Sequence, residues 1–391
     1  MTNTLEISEI AKNLVGQPMF EILELSQEYE RQGKKILHFE LGEPDFPTPQ
    51  HICEAAVNAI SNGDTNYAPS SGIHDFKKAV IDVTKKSRGF SPQLNQILIT
   101  PGANSIIFLT IKCLLNPSEE VLIPDPGFPT YPDAIRACGA VPVYVPTYEK
   151  NNFELQLSDI EKEVSPKTKL LILNSPSNPT GAVLSEKEIR KIYEFCERKN
   201  IYILSDEVYA RLIFSSKVFF SPSSIDFCKE RVIILNGFSK AFAMTGWRLG
   251  VAIGPKEIIS KMTLLLSTFV SCVPPFIQRA GVAALCEDQS VIKNMKREYL
   301  HRAQKLHDGI NSIKGLSCNQ PQGAIYVFVN IKKTQYTSED FAKFLIEECG
   351  IATTPGNFFG PHGEGYIRFA TVRSLDDINK AISIMKEKIN V

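Results

Sequence analysis

Short apolar runs without polar alternation recur through the middle of the chain, at Gln96–Thr100, Glu120–Ile123, Leu170–Asn174, Ile201–Ser205 and Val232–Asn236. A strand covered on both faces reads this way, whereas a half-exposed strand alternates with period two. The runs therefore predict a buried, largely parallel sheet. Between two of them, Ser185-Glu-Lys-Glu188 is a capping box that opens a helix to about Lys199, with Ile189, Ile192, Tyr193 and Cys196 along one face. Strand, helix and strand in that order make a βαβ unit.

The C-terminal third is patterned differently. Ser374 caps a helix whose Leu375, Ile378, Ile382, Met385 and Ile389 form an apolar stripe, and Thr337 and Ser338 begin another that ends at Gly350. Tyr366–Ala370, between them, reads as a strand. The mixture predicts a smaller α+β domain packed beside the α/β one. The stretch before Pro47, with its glycines, prolines and a short strand at Ile36–Leu41, is assigned to that smaller domain. The expected division is a large domain over residues 46–280 and a small one built from 1–45 and 281–391. A chain of 391 residues accommodates both, since single cores stop growing near about 250–300 residues.

Composition narrows the class of partner. Lys and Arg number 43 against 43 Asp and Glu, so the net charge of +0 offers no general attraction to phosphate polymers or anionic membrane surfaces. No run approaches the length of a membrane span. The N-terminal residues carry acids and lack an apolar signal region, which predicts a cytoplasmic protein. Nine cysteines are an odd number without a C-x-x-C spacing and read as reduced, mostly buried thiols. His301 and His307 do not share a helix face, and no metal is expected.

Ligands of open α/β sheets bind beyond the carboxyl ends of the strands, so the polar residues after each apolar run carry the chemistry. Pro101-Gly-Ala-Asn-Ser105 follows the first run as a tight small-residue turn into a helix, where exposed amides bind a phosphate. Ser175-Pro-Ser-Asn-Pro-Thr-Gly181 and Asp206-Glu-Val-Tyr209 follow two others. Taken alone, Asn178 is a turn former and Asp206 a helix cap. Gly237-Phe-Ser-Lys-Ala-Phe-Ala-Met-Thr-Gly-Trp-Arg-Leu-Gly250 is different, because Lys240 and Arg248 lie among small and aromatic residues unsuited to a solvated helix face.

Together these ends supply a phosphate cup, a carboxylate, a phenol, an amide and an unaccompanied lysine. Pyridoxal phosphate needs that set: a lysine amine for its aldehyde, an anion for its ring nitrogen and hydrogen-bond donors for its ring oxygen.

Over nearly its whole length the sequence resembles the class I/II aminotransferases, which are fold-type I pyridoxal phosphate enzymes. The resemblance rests on Ser239-Lys240 with Thr245-Gly-Trp-Arg248-Leu-Gly, on Asn178-Pro-Thr-Gly181, on Asp206-Glu-Val-Tyr209, on Tyr67-Ala-Pro-Ser-Ser-Gly72 and on Gly365-Tyr-Ile-Arg368-Phe. It is nearest to the prokaryotic aspartate and aromatic aminotransferase subgroup. It implies an α/β fold with a mostly parallel, seven-stranded type of sheet in the large domain and a small α+β domain that closes over the substrate. Lys240 would carry the cofactor and move the proton at Cα, Asp206 would pair with the ring nitrogen, and Asn178 and Tyr209 would hold the ring oxygen. Ser239, Arg248 and the amides of Ala103 and Asn104 would bind phosphate, joined by Tyr67 from the partner subunit of a homodimer. Phe128 would stack on the cofactor, and Arg368, assisted by Asn178 and Gly42, would take the substrate carboxylate. Gly16-Gln-Pro-Met-Phe20 resembles the family's closing segment.

The resemblance implies transfer of an amino group between an L-amino acid and a 2-oxo acid. Two alternatives stay open at this point: a decarboxylase, of a phosphorylated hydroxy-amino acid for instance, and a non-enzymatic sensor of the cofactor. Ser267-Thr-Phe-Val-Ser-Cys-Val-Pro-Pro275 lacks the arginine that some aspartate enzymes use for the distal carboxylate. Thr268 and Ser271 are candidates for facing a smaller polar or phosphorylated side chain instead.

Overall fold

The computed structural model describes residues 6–214 and 218–389. Seven strands form one sheet in the order Ile97–Thr100, Gly250–Ile253, Val232–Gly237, Tyr202–Asp206, Thr168–Asn174, Glu120–Asp125 and Val141–Pro146. Neighbours are parallel except around Gly250–Ile253, which runs antiparallel to both of its partners. All five apolar runs of the sequence lie in this sheet. Successive residues alternate between its faces, so Ile99, Leu122, Leu171, Ile203 and Ile234 enter one hydrophobic cluster and Leu98, Val121, Ile172, Leu204 and Ile233 another on the opposite side. Each such side chain contributes about 1.5–3 kcal/mol by leaving water, which is why the runs carry no polar alternation.

Two strands are not marked by the sequence pattern. Val141–Pro146 contains prolines that cannot donate to a ladder, and it is tolerated at the sheet edge, where it has a single neighbour. Gly250–Ile253 is short and begins on glycine. The helix Glu186–Lys199 forms where it is expected, with half of the capping box: Ser185 Oγ accepts from the Glu188 amide at 3.3 Å, but the Ser185 amide donates to Glu154 Oε1 at 2.6 Å and Glu188 Oε1 accepts from the Leu157 amide instead. Ile189, Ile192, Tyr193 and Cys196 are buried. A cap of this kind stabilises by about 1 kcal/mol.

A second, antiparallel sheet joins Thr354–Pro355, Tyr366–Ala370, Tyr326–Asn330 and Ser317–Cys318. The helices Ser338–Glu348 and Leu375–Lys388 belong to the same cluster, and Thr337 and Ser374 cap them by accepting from the Asp340 and Asp377 amides. The strand expected at Ile36–Leu41 is shorter than its apolar pattern. Only Leu37–His38 pairs, in parallel with Ile351–Ala352. Beyond Phe39 the carbonyl groups go elsewhere: that of Glu40 accepts from Thr354 Oγ1 at 2.9 Å and that of Gly42 accepts from Lys240 Nζ at 2.6 Å.

The helix Ser290–Asn311 serves both cores, with Ile292, Met295 and Tyr299 on the seven-stranded side and Ala303, Leu306 and Ile310 on the other. Arg302, where the two stretches meet, bonds Asp45 at 2.8 Å. Among the described residues, no helix is long and apolar enough to cross a membrane.

Candidate active site

Asn174, Asp206 and Gly237 are the last residues of three adjacent parallel strands, and Asn174 lies in register with Asp206. The strand ends open into a cavity of about 350 Å³. Gly42, Ala103, Asn104, Phe128, Asn178, Asp206, Tyr209, Ser239, Lys240, Arg248 and Arg368 all line it. Residues that lie far apart in sequence thus meet because the parallel topology delivers every strand end to one edge.

Lys240 follows the strand end at Gly237 and donates from Nζ to the Gly42 carbonyl at 2.6 Å. Burial pushes its ammonium below the ordinary lysine range, and the guanidinium groups of Arg368 and Arg248 act in the same direction. A lysine so placed is readily deprotonated, as an attacking amine must be.

Asp206 is buried and has no cation in ion-pair contact among the described residues. Tyr131 Oη donates to its Oδ2 at 2.6 Å, and the Val208 amide donates to Oδ1 at 3.2 Å. Burial pushes the carboxyl up to about 6, while these two donors pull it down. The helix Thr130–Ala137 carries Tyr131, and the ring of Phe128 meets that of Tyr131 edge-on at 5.5 Å.

The turn Pro101–Ala103 leads into the helix Asn104–Leu114, and Ala103 and Asn104 line the cavity. Gly102 has φ +82°, and a Cβ there would stand 2.6 Å from Arg248 Nη2. The left-handed φ favours glycine, and without a Cβ the backbone leaves room for the guanidinium where it now lies. Arg248 itself holds the left-handed φ of 51°, a conformation costing roughly 1–2 kcal/mol for a side chain, and donates from Nη1 to the Thr245 carbonyl at 2.9 Å.

Arg368 is 1% exposed. Its Nη1 donates to Asn178 Oδ1 at 3.0 Å, and its Nη2 to Thr354 Oγ1 at 3.2 Å and to the Glu40 carbonyl. The guanidinium lies between the rings of Tyr326 and Phe359, at 4.4 and 4.7 Å from their centres. Its partners are all neutral, and its Nε has none. Tyr326 also shares a 2.7 Å hydrogen bond with Tyr209, and burial raises the Tyr209 phenol well above its usual range.

Sequence reasoning missed Tyr131 and Tyr326. Tyr131 sits one turn past Phe128 on a helix that carries no other site residue, and Tyr326 reads as one more apolar residue of a core strand. The signal for Tyr326 is Gly42, where a Cβ would lie 2.0 Å from its hydroxyl.

Tyr67 stands apart. It is 90% exposed and does not line this cavity. The amide of the next residue, Ala68, contacts Cys272 Sγ at 3.4 Å, which places its loop beside the segment 267–275. Thr268 and Ser271 are exposed and lie outside the cavity of this chain. Gln17, Met19 and Phe20 of the leading segment line it, and the Gly16 amide holds that segment to Asp133 Oδ2 at 2.5 Å.

Two observations fit pyridoxal phosphate to this set. The buried, cation-free carboxylate of Asp206 gains by pairing with a protonated ring nitrogen, and the glycine-floored cradle at Gly102 and Arg248 suits a phosphate. When bound, the cofactor supplies an aldehyde for the amine and a ring that withdraws electrons from Cα. Fold and site together define a fold-type I pyridoxal phosphate enzyme.

The sequence matches the family described as aminotransferase class I and II over residues 34–384, and the chain belongs to that family. It is 40% identical over 360 residues to aromatic-amino-acid aminotransferase 2 of Thermococcus litoralis, covering 90% of this chain and 92% of that one. It is 39% identical over 357 residues to an aspartate aminotransferase of Pyrococcus abyssi, with 90% and 92% covered. The structure of aspartate aminotransferase from Thermus thermophilus superimposes with a TM-score of 0.94 at 30% identity, covering 98% of this chain and 100% of that one. The protein is a pyridoxal phosphate-dependent aminotransferase, which transfers an amino group between an L-amino acid and a 2-oxo acid. Nothing in these relationships supports the decarboxylase or the cofactor sensor.

Proposed function

We propose that the amino donor is a neutral L-amino acid with an apolar or aromatic side chain, held by its α-carboxylate on Arg368. The observation that carries this is the buried Arg368 guanidinium without a carboxylate partner among the described residues. The other cations lining the cavity are Lys240 and Arg248. With Lys240 assigned to the cofactor aldehyde and Arg248 to its phosphate, no cation is left for a distal carboxylate among the described residues that line the cavity. Met19, Phe20, Leu41 and Ile107 give the wall apolar surface for a side chain, and the acidic Glu43, which also lines the cavity, disfavours a second carboxylate. An aromatic-amino-acid aminotransferase among the relatives is in keeping with this substrate class.

In this assignment Lys240 also moves the proton at the substrate Cα, and Asp206 holds a proton on the ring nitrogen. Asn178 and Tyr209 orient the ring oxygen, Phe128 covers one ring face, and Ser239, Ala103 and Asn104 bind phosphate with Arg248. Gly42 assists Arg368. Tyr67 completes the phosphate site of a partner subunit in a homodimer, which its exposure supports, as do the exposed apolar residues Val57, Ile60, Leu264 and Phe269. The small unit, 1–45 with 281–391, closes on the large unit, 46–280; the buried members of the second sheet's cluster all come from the small unit, while Ile292, Met295, Tyr299 and Tyr326 of that unit pack into the cluster of the large one. Nine free cysteines accord with a cytoplasmic enzyme.

The test is a single half-reaction without acceptor, followed by visible absorbance as the holoenzyme takes the amine from each donor. Phenylalanine, tyrosine and leucine should react with kcat/KM at least about tenfold above aspartate and glutamate. Equal or faster reaction with aspartate overturns the substrate class.

A further inference from the structure

A second cavity, of about 580 Å³, lies beside the strand Val232–Gly237 on the sheet face opposite Leu235. Amino transfer uses none of its side chains. Its walls include Ile234 and Val251 and the rings of Phe219, Phe238 and Phe242.

Two guanidinium groups reach it, and they differ in one respect. Arg88 is neutralised by the buried Glu207, whose Oε2 accepts from Arg88 Nε at 3.0 Å and also from Nη2. Arg211 has no counter-ion among the described residues. Its Nη1 donates to the neutral Gln289 Oε1 at 3.3 Å, and its guanidinium lies 5.1 Å from the centre of the Phe242 ring. Burial and the charge of Arg88 both push Arg211 below its ordinary range. A poorly solvated cation without an anion is costly, and the volume is that of a small-ligand site.

We propose that this cavity binds a small aromatic or aliphatic carboxylate, with its apolar part against Phe219, Phe238 and Phe242 and its carboxylate on Arg211. Lys86 and Glu287 also line the cavity with opposite charges, so with Arg88 paired to Glu207 the net formal charge left is that of Arg211, and a monoanion is specified. The planar fork of arginine matches a carboxylate. Gly237 lines both cavities, so the ligand would sit against the strand end that leads to Ser239 and Lys240.

The probe is 4-phenylbutyrate, which carries neither an α-amino nor an α-oxo group, titrated calorimetrically into the holoenzyme. Saturable binding to the wild type and to Arg368→Lys is expected, weakened at least about tenfold in Arg211→Gln. Phe219→Ala, which keeps the charge and removes part of the apolar wall, should weaken binding severalfold and covers the case in which Arg211→Gln does not fold. The neutral 4-phenylbutyramide should bind the wild type no better than the carboxylate binds Arg211→Gln. Wild-type affinity in Arg211→Gln or in Phe219→Ala overturns the proposal. So does loss of binding in Arg368→Lys, which would put the probe in the active site, and so does the absence of saturable binding to the wild type.

Discussion

The hydroxyl of Tyr131 donates to the carboxylate of Asp206 at 2.6 Å, and both groups are buried. Burial alone drives Asp206 toward its neutral form, whereas its proposed role beside a protonated ring nitrogen requires the charge. Tyr131 acts against burial by donating to the charged form. A neutral donor does this without adding a second charge that would compete with the cofactor.

Tyr131→Phe should therefore raise the Asp206 carboxyl above its value of about 6. Cofactor affinity of the wild-type apoprotein is expected to fall as pH drops through about 6, where the carboxylate takes up its proton. In Tyr131→Phe the fall should begin at higher pH, and kcat at neutral pH should drop about tenfold. Absorbance titrations of apoprotein with pyridoxal phosphate over a pH series measure the midpoint. An unmoved midpoint would remove Tyr131 from this role.

Asp206→Asn should act on stability and activity in opposite directions. A carboxyl that titrates at 3.8 in the open chain and about 6 in the fold binds its proton more tightly when folded. Its unfavourable contribution is therefore absent below pH 3.8, grows as pH rises to about 6 and is fully present at neutral pH. The raised value corresponds to about 3 kcal/mol. The Asp206→Asn apoprotein should accordingly melt a few degrees higher than wild type at neutral pH, while the loaded enzyme loses roughly 10²–10³ in kcat. Calorimetry of the apoproteins and steady-state rates check the pair. A lower Tm with unchanged kcat would sink both assignments.

The sheet was legible because strands such as Leu170–Asn174 are buried on both faces and so read as unbroken apolar runs. The candidate site stood out where its residues depart from packing: Lys240 and Arg248 lie among small and aromatic residues unsuited to a solvated helix face, and both line the cavity. Tyr131 and Tyr326 were not legible, since each covers core surface with its ring and differs from phenylalanine only at the hydroxyl that matters. The early end of the strand at Leu37–His38 was equally hidden. Its pattern is apolar to Leu41, but side chains from distant segments claim the carbonyl groups of Glu40 and Gly42.

Tyr67 should be required in trans. Tyr67→Phe and Lys240→Ala homodimers are each expected to be impaired, the first in cofactor retention and the second completely. In a mixed dimer one site carries both lesions and the other neither, so mixing after partial dissociation should restore activity above the sum of the parents. Sedimentation should give a particle of twice 43.6 kDa. A fully active monomer, or no gain on mixing subunits shown to exchange, would refute the shared site.

Arg368→Lys separates grip on the substrate from support of the fold. In the wild type the guanidinium is fixed by Asn178 at 3.0 Å and Thr354 at 3.2 Å and lies between the rings of Tyr326 and Phe359. A lysine keeps the charge but loses the planar fork and the stacking, so it cannot present two parallel donors to a carboxylate. The expected loss in kcat/KM for amino acids is about 10²–10³, from contacts worth roughly 3–4 kcal/mol, while cofactor affinity stays near wild type. A primary amine without a carboxylate supplies the control. It makes no use of the fork, so phenethylamine should react as slowly with the wild type as with the variant, and the difference between the two donors should nearly vanish in Arg368→Lys. If the variant loses cofactor and both donors together, Arg368 is holding the walls of the cavity in place, and the α-carboxylate binds elsewhere.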